Sequence, residues 1–124
     1  MGSTRALGEN EMKKWVLLIS SVLLLAGCQA PNTYYWANYE PLVYSNYAQP
    51  GEIQPAEQVQ LLQADEAKAQ EKGLPLPPGF YAYLGYLYSL TGDNNAAVAS
   101  FQSEKQNFPE SAVFMDRLMG GARK

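Results

Sequence analysis

The chain has 124 residues, nine cationic and twelve acidic side chains, a net charge of −3, one Cys and no His. This length suits one small domain, and the lack of a basic cluster argues against nucleic-acid binding, because phosphate neutralisation needs grouped Lys and Arg. Without His the commonest general base and a common metal ligand are missing, and a single Cys forms no internal disulfide. We therefore expect neither an enzyme nor a cofactor.

The first hydrophobic stretch has the pattern of a secretion signal. Lys13 and Lys14 precede an apolar run, 15–25, which is short for a bilayer span of roughly 20 residues. It ends in Leu-Ala-Gly-Cys, which resembles a bacterial lipobox. The resemblance implies that Cys28 is acylated on its sulfur, that the chain is cut before it, and that the new amino end is acylated too. The alternative is a plain transmembrane or uncleaved hydrophobic end with an incidental Cys.

Two further features concern the signal. Gln29, rather than Asp, follows Cys28, and by resemblance to lipoprotein sorting in Gram-negative bacteria this implies the outer membrane, with the protein facing the periplasm. Glu9 and Glu11 weaken the positive start of the signal. We therefore predict a signal peptide over 1–27. Either its true start is Met12, or residues 1–11 are removed together with the signal.

A lipidated tether and an aromatic-rich segment are predicted over 28–53. Residues 29–33 form the tether, and a short helix is expected near Glu40 because Pro41 suits a first helical turn. The rings either pack on the helices that follow or form an exposed platform for a partner, a sugar or a lipid head group. The aromatic residues of this segment are Tyr34, Tyr35, Trp36, Tyr39, Tyr44 and Tyr47.

The remainder predicts an all-α domain over 54–119, followed by a disordered tail, 120–124. Apolar spacing, prolines and glycines predict helices over 55–72, 78–90, 95–107 and 112–119. The first of these has a core face with Val59, Leu62 and Ala69, whereas Asp65 and Glu66 are expected on its solvated side. In the last helix Val113, Phe114 and Leu118 are expected to cover the hydrophobic end of the domain.

The two central helices resemble a tetratricopeptide hairpin. The resemblance implies that Gly85 lies close to the partner helix, whereas Glu104 departs from the pattern, which has Ala there. One hairpin does not bury its own faces, so the aromatic segment or a partner is expected to complete the fold. The matching positions are Tyr81, Leu84, Gly85, Tyr88, Ala97, Phe101 and Pro109.

The order of these features resembles a bacterial lipoprotein family, domain of unknown function 4810. The resemblance covers 34–118 and is carried by the Tyr-Tyr-Trp run at 34–36, by Pro-Pro-Gly at 77–79, and by the Phe-Pro-Glu-Ser run at 108–111. Family members tend to be encoded beside a CsgG-like lipoprotein and a further small lipoprotein. The resemblance thus implies an accessory of an envelope secretion or assembly system, without known catalytic residues.

We therefore predict an adaptor that is anchored to the membrane through Cys28 and binds an envelope protein, such as the CsgG-like lipoprotein. Tyr83 and Tyr86 are predicted as exposed anchors for this partner, together with Trp36 and Tyr39. A second hypothesis is binding of cell-wall glycan or another envelope ligand by the 34–47 aromatics, and a third is a structural lipoprotein without a specific ligand. An enzyme would have to use carboxylates such as Glu40 and Glu104, and nothing in the sequence shows that these two meet.

Overall fold

The computed structural model describes residues 3–25 and 33–123, which belong to two compact units, 1–32 and 33–124. In the first unit, helix α1 runs over Ser3–Leu25, and on its surface Lys13 pairs with Glu9 at 2.9 Å. Within the described ranges, no helix combines the length and apolar character that a membrane crossing requires. The predicted acylation site, Cys28, lies outside the described residues.

Helices joined by turns and loops make up the described part of the second unit, which contains no strand, and this confirms the predicted all-α class. The second unit begins at Thr33, so the aromatic residues from Tyr34 onward belong to the same compact unit as the helices that follow. Its helices are α2 (Tyr39–Ala48), α3 (Pro55–Lys72), α4 (Phe80–Thr91), α5 (Asn94–Asn107) and α6 (Ala112–Ala122), with a 3-10 turn at Pro109–Ser111 between the last two.

The turn between α4 and α5 shows why the chain reverses there. Gly92 ends α4 with a left-handed backbone (φ 83°), a conformation that glycine adopts without a steric penalty. Asp93 then caps α5, and its side chain accepts a hydrogen bond from the backbone N–H of Ala96 at 3.0 Å. The sequence predicts a turn from these two residues, and the hairpin forms at that position.

A close approach between α4 and α5 holds the hairpin together. A Cβ atom built on Gly85 would lie 2.5 Å from Cε1 of Phe101, so the ring of Phe101 occupies the space that a side chain would need. Phe101 is buried. The expected role of Gly85 as a contact point between the two helices is therefore present in the structure.

The core consists of two neighbouring clusters. The predicted core face of α3 is confirmed, since Val59, Leu62 and Ala69 are all buried. The first cluster joins α2, α3 and α4 through Leu42, Val59, Leu62, Phe80, Leu84 and Leu87. The second joins α5 and α6 through Ala97, Phe101, Met115 and Met119.

Helix α6 differs from its prediction in two ways. Met115 and Met119 are its buried residues, whereas Val113 and Phe114 are exposed. The expectation that the latter two cover the core is therefore wrong, because the helix turns the side that carries the methionines, spaced four residues apart, toward Phe101. The helix also continues past Met119 through two glycines to Ala122, so a tail that is disordered from 120 is not what the structure shows.

Candidate functional site

The aromatic segment is fastened to the helices by hydrogen bonds at its start. The backbone N–H of Tyr35 donates to the carbonyl oxygen of Pro75 at 2.8 Å. Asn38 donates to Asp65 twice, from its backbone N–H at 2.9 Å and from Nδ2 at 3.0 Å. Asp65 is only 1% exposed. Its predicted place on a solvated face is wrong, because the turn before α2 covers its carboxylate and supplies donors to both oxygens.

Some rings of the segment pack onto the domain, as the first interpretation predicts. Tyr39 is the central one, with its ring centroid 5.8 Å from that of Phe80 and 6.1 Å from that of Tyr83. Tyr34 lies against Phe108 at 6.4 Å. These rings extend the core of the hairpin toward the start of the unit.

Other rings of the same segment face outward, as the second interpretation predicts. Trp36, Tyr44 and Tyr47 are 45%, 70% and 87% exposed. With Val43 they surround a shallow hollow of about 550 Å³, in which Glu40 is the one charged lining residue. We call Trp36, Val43, Tyr44 and Tyr47 the aromatic patch.

A second apolar surface lies between α2, α4 and α6. It is a groove of about 700 Å³ whose lining includes Tyr83 and Tyr86 of α4 and Phe114 and Leu118 of α6, and none of its lining residues is charged. Tyr86 and Phe114 are both exposed. We call this surface the apolar groove. The sequence offered Tyr86 as a candidate but not Phe114, because the apolar spacing of α6 does not reveal which of its sides meets the core.

Tyr83 is less exposed than predicted. Its hydroxyl donates a hydrogen bond to the side-chain oxygen of Gln58, and its ring stacks on Tyr86 with a centroid distance of 6.1 Å. Burial raises the pKa of Tyr83, with a further contribution from Tyr86. Tyr83 is thus a partly buried support for Tyr86 rather than a free anchor.

Burial also raises the pKa of Tyr39, and the charge of Glu104 adds to this effect. Glu104 is buried, and its Oε1 accepts a hydrogen bond from the backbone N–H of Gly79 at 2.7 Å. Within the described residues its Oε2 has no hydrogen-bond partner. The departure from the tetratricopeptide pattern therefore has a structural role, because this carboxylate binds the chain where α4 begins.

The two carboxylates that the sequence offered for an enzyme lie in different surroundings. Glu40 is exposed on α2 whereas Glu104 is buried beneath the start of α4. In the described part of the chain, no group of three or more His, Cys, Asp or Glu residues is placed to hold a metal ion. The geometry therefore offers apolar binding surfaces and anchored carboxylates.

Two family models match the chain. One describes a domain of unknown function (DUF4810) and matches residues 33–118, and the other describes the prokaryotic membrane lipoprotein lipid attachment site and matches residues 12–29. No curated protein and no solved structure matches the chain. The first match covers the helical bundle from its first described residue into α6, and the second contains Cys28.

Proposed function

The chain belongs to the family of the domain of unknown function DUF4810 and carries a prokaryotic lipoprotein attachment site, and from this premise we propose that it is a non-catalytic adaptor that binds another envelope protein. Acyl chains on Cys28 hold it at the periplasmic face of the outer membrane. Its tetratricopeptide-like hairpin presents the binding surface. The partner is an envelope protein of a secretion or assembly system, with a CsgG-like lipoprotein as the first candidate.

The apolar groove is the observation that carries this proposal. Its lining contains no charged residue, and Tyr86 and Phe114 expose aromatic surface on its two sides. Aromatic residues at the centre of an interface supply much of its binding energy when a partner excludes water from them. A groove with these properties is a docking site for apolar side chains.

The occupant that fits is the apolar face of an amphipathic helix of the partner protein. Peptides that add a strand need an exposed sheet edge, and the described residues contain no strand. A groove between helices instead accepts side chains that recur every three to four residues along one face of a partner helix. The lack of charge in the lining favours apolar anchors over salt bridges.

Photo-crosslinking in intact cells tests this proposal. The full lipoprotein carries a photoreactive amino acid in place of Tyr86 or Phe114, and a matched control carries it in place of Glu71, an exposed residue of α3. We expect both groove positions to yield the same envelope protein, identified by mass spectrometry, with the crosslink located in an amphipathic helix of that protein. The control position should not yield it.

In the reciprocal experiment, the photoreactive amino acid is placed in the identified helix of the partner, and the crosslink should form with α4 or α6. Tyr86→Ser together with Phe114→Ser should remove the adduct while the lipoprotein stays at its normal level in the membrane. The proposal fails if the groove positions yield no defined envelope protein, or if the same adducts arise from position 71.

A further inference from the structure

We propose that the aromatic patch rests on the phospholipid surface of the membrane that holds the acyl chains of Cys28. This role goes beyond partner binding and uses a neighbouring surface. Val43 borders both the patch and the apolar groove, whereas Trp36, Tyr44 and Tyr47 line only the hollow of the patch. It also reassigns Trp36, which the sequence grouped with the partner-binding residues.

The first support is the composition of α2. Its inner side buries Leu42, yet its outer side carries Val43, Tyr44 and Tyr47, and Glu40 is its one charged residue. A surface helix of a water-soluble protein usually has charged and polar residues on its outward face. An exposed aromatic face on so short a helix indicates that something other than water covers it.

The patch is also continuous along one side of the helix. Glu40, Val43, Tyr44 and Tyr47 follow the spacing of three to four residues that places side chains on one helical face. Trp36 precedes the helix and lines the same hollow. Trp36 stacks on Tyr39 with a centroid distance of 6.2 Å, so its ring is held in place at the edge of the domain. The outcome is a row of aromatic rings rather than scattered exposed residues.

The second support is the length of the chain between the anchor and the fold. Cys28 and Thr33 are five residues apart, which limits their separation to about 17 Å even for a fully extended chain. This is less than the roughly 30 Å diameter of a small domain. The hydrogen bond of Tyr35 to Pro75 shows that the folded unit begins almost at once. An acylated Cys28 therefore keeps the patch near the bilayer.

The chemistry of the patch fits the boundary between lipid and water. Trp and Tyr are enriched there because their rings are apolar while the indole N–H and the phenol hydroxyl stay hydrated. Because the tether already holds the domain at the membrane, the patch meets the lipid at a high effective concentration. A weak interaction is therefore sufficient to keep the patch on the lipid surface.

Charge supports an aromatic rather than an electrostatic contact. From Cys28 onward the chain has six cationic and ten acidic side chains, a net charge of −4, and Glu40 is the charged residue beside the patch. Attraction to anionic lipids would need a basic surface. We therefore expect the contact between the aromatic patch and the bilayer to be insensitive to salt, since salt screens only the charge interactions.

A phospholipid surface also fits better than a glycan. Specific binding sites place several polar groups around a ligand to fix its orientation, whereas Glu40 is the one carboxylate or amide side chain that lines the hollow. Apart from Glu40, only the phenol hydroxyls and the indole N–H of the lining could bind the hydroxyl groups of a sugar. Glycan binding is therefore an alternative result of the experiment.

The intrinsic fluorescence of Trp36 tests the proposal directly. The sequence contains two Trp residues, Trp15 and Trp36, and cleavage before Cys28 removes the first. The mature acylated protein is reconstituted into phosphatidylethanolamine–phosphatidylglycerol vesicles with or without phospholipids brominated near the top of the acyl chains. We expect brominated lipid to quench Trp36, its emission to shift to shorter wavelength relative to the unacylated mature chain in buffer, and both effects to persist in high salt.

Two variants complete the test, and circular dichroism verifies that each is folded. Tyr44→Ser with Tyr47→Ser should reduce the quenching about threefold, because contact strength scales with buried apolar area. Leu90→Ser, which removes an exposed apolar side chain at the far end of α4, should leave it unchanged. The proposal is overturned if Trp36 is as accessible to aqueous iodide in vesicles as it is in the unacylated mature chain in buffer, or if only peptidoglycan fragments, and not lipid, protect it. Because no partner is present in the vesicles, this result is independent of the apolar groove.

Discussion

Asp65 and Asn38, which are 27 positions apart, are joined by two hydrogen bonds that close the aromatic segment onto α3. The bonds act on a strained turn, because Ala37, which immediately precedes Asn38, has a φ of 32°. Such a conformation in a residue other than glycine costs about 1–3 kcal/mol and persists only where neighbouring contacts impose it. The buried carboxylate thus fixes the direction in which α2 begins, and with it the outward orientation of Trp36.

Removal of this carboxylate should loosen the whole segment. We expect Asp65→Ala to lower the free energy of unfolding by about 2–3 kcal/mol, because it leaves the backbone N–H of Asn38 without its partner. Urea denaturation followed by circular dichroism measures the change. Glu71→Ala, on the exposed side of the same helix, is the control and should stay within about 0.5 kcal/mol of the unsubstituted protein. Equal effects of the two substitutions would contradict this role of Asp65.

Gly85 should tolerate no side chain. In Gly85→Ala the new Cβ would meet the ring of Phe101, and overpacking of this kind lowers the free energy of unfolding by about 1–3 kcal/mol. The opposite result is expected for Gly120→Ala in α6, where nothing lies within 4 Å of the added atom. There the higher helix propensity of Ala should raise stability by up to about 1 kcal/mol. Thermal unfolding of the two variants measures the loss of stability in the first and the gain in the second. Stabilisation by Gly85→Ala would exclude the close contact between Gly85 and Phe101.

Stability should decrease in alkaline solution. Burial raises the pKa of Tyr39 and of Tyr83 in the folded protein, whereas an unfolded chain releases these protons near pH 10. The unfolded state therefore binds fewer protons than the folded state above about pH 10, and stability falls as the pH rises through that range. Below about pH 9 the contribution is fully present.

Urea midpoints at about pH 8 and about pH 11, on either side of the tyrosine range, measure this decrease. In Tyr39→Phe the difference between the two midpoints should be smaller, since this variant lacks one of the groups whose pKa is raised. A midpoint that does not change between the two pH values would refute the assignment.

Glu104 allows charge and hydrogen bonding to be separated. Glu104→Gln keeps an oxygen that accepts from the N–H of Gly79, so the fold should persist, while loss of the charge should lower the pKa of Tyr39. Glu104→Ala removes the acceptor as well and should lower the free energy of unfolding by about 2–4 kcal/mol. Absorbance titration of the tyrosines and urea denaturation distinguish the two effects. If Gln and Ala behave alike in both measurements, the bond to Gly79 contributes nothing.

The helices that carry local signals could be predicted from the sequence. These signals act within one or two helical turns, so they can be recognised without knowledge of the fold. They are Pro55 at the start of α3, Gly92 after α4 and Asp93 before α5. The close approach of Gly85 to the partner helix was also expected, from the resemblance to a tetratricopeptide hairpin, but only the structure identifies Phe101 as the contact. By contrast, the sequence could not show that α6 continues through two glycines, because packing of Met119 in the core outweighs their low helix propensity.

The functional surfaces were less predictable, for a physical reason. Asp65 and Glu66 look alike in the sequence, yet Asp65 accepts hydrogen bonds from a segment 27 residues away, while Glu66 accepts one from the hydroxyl of Tyr81. Tyr83 and Tyr86 also look alike. Contacts of Tyr83 with Gln58 and Tyr39 make it a partly buried support, whereas Tyr86 is a surface residue. Such distinctions arise from contacts between distant parts of the chain, which composition and spacing do not encode locally.

The bond between Glu104 and Gly79 has a mechanical consequence for the hairpin. It fixes the start of α4 against the later part of α5, while the capped turn at Gly92 and Asp93 fixes the other end, and Phe101 fits only where Gly85 leaves room. A slide of one helical turn, about 5.4 Å, would set that ring against Tyr81 or Ser89 instead. Helices α4 and α5 therefore behave as one rigid unit. The apolar groove can widen or narrow only when α2 or α6 tilts relative to this unit.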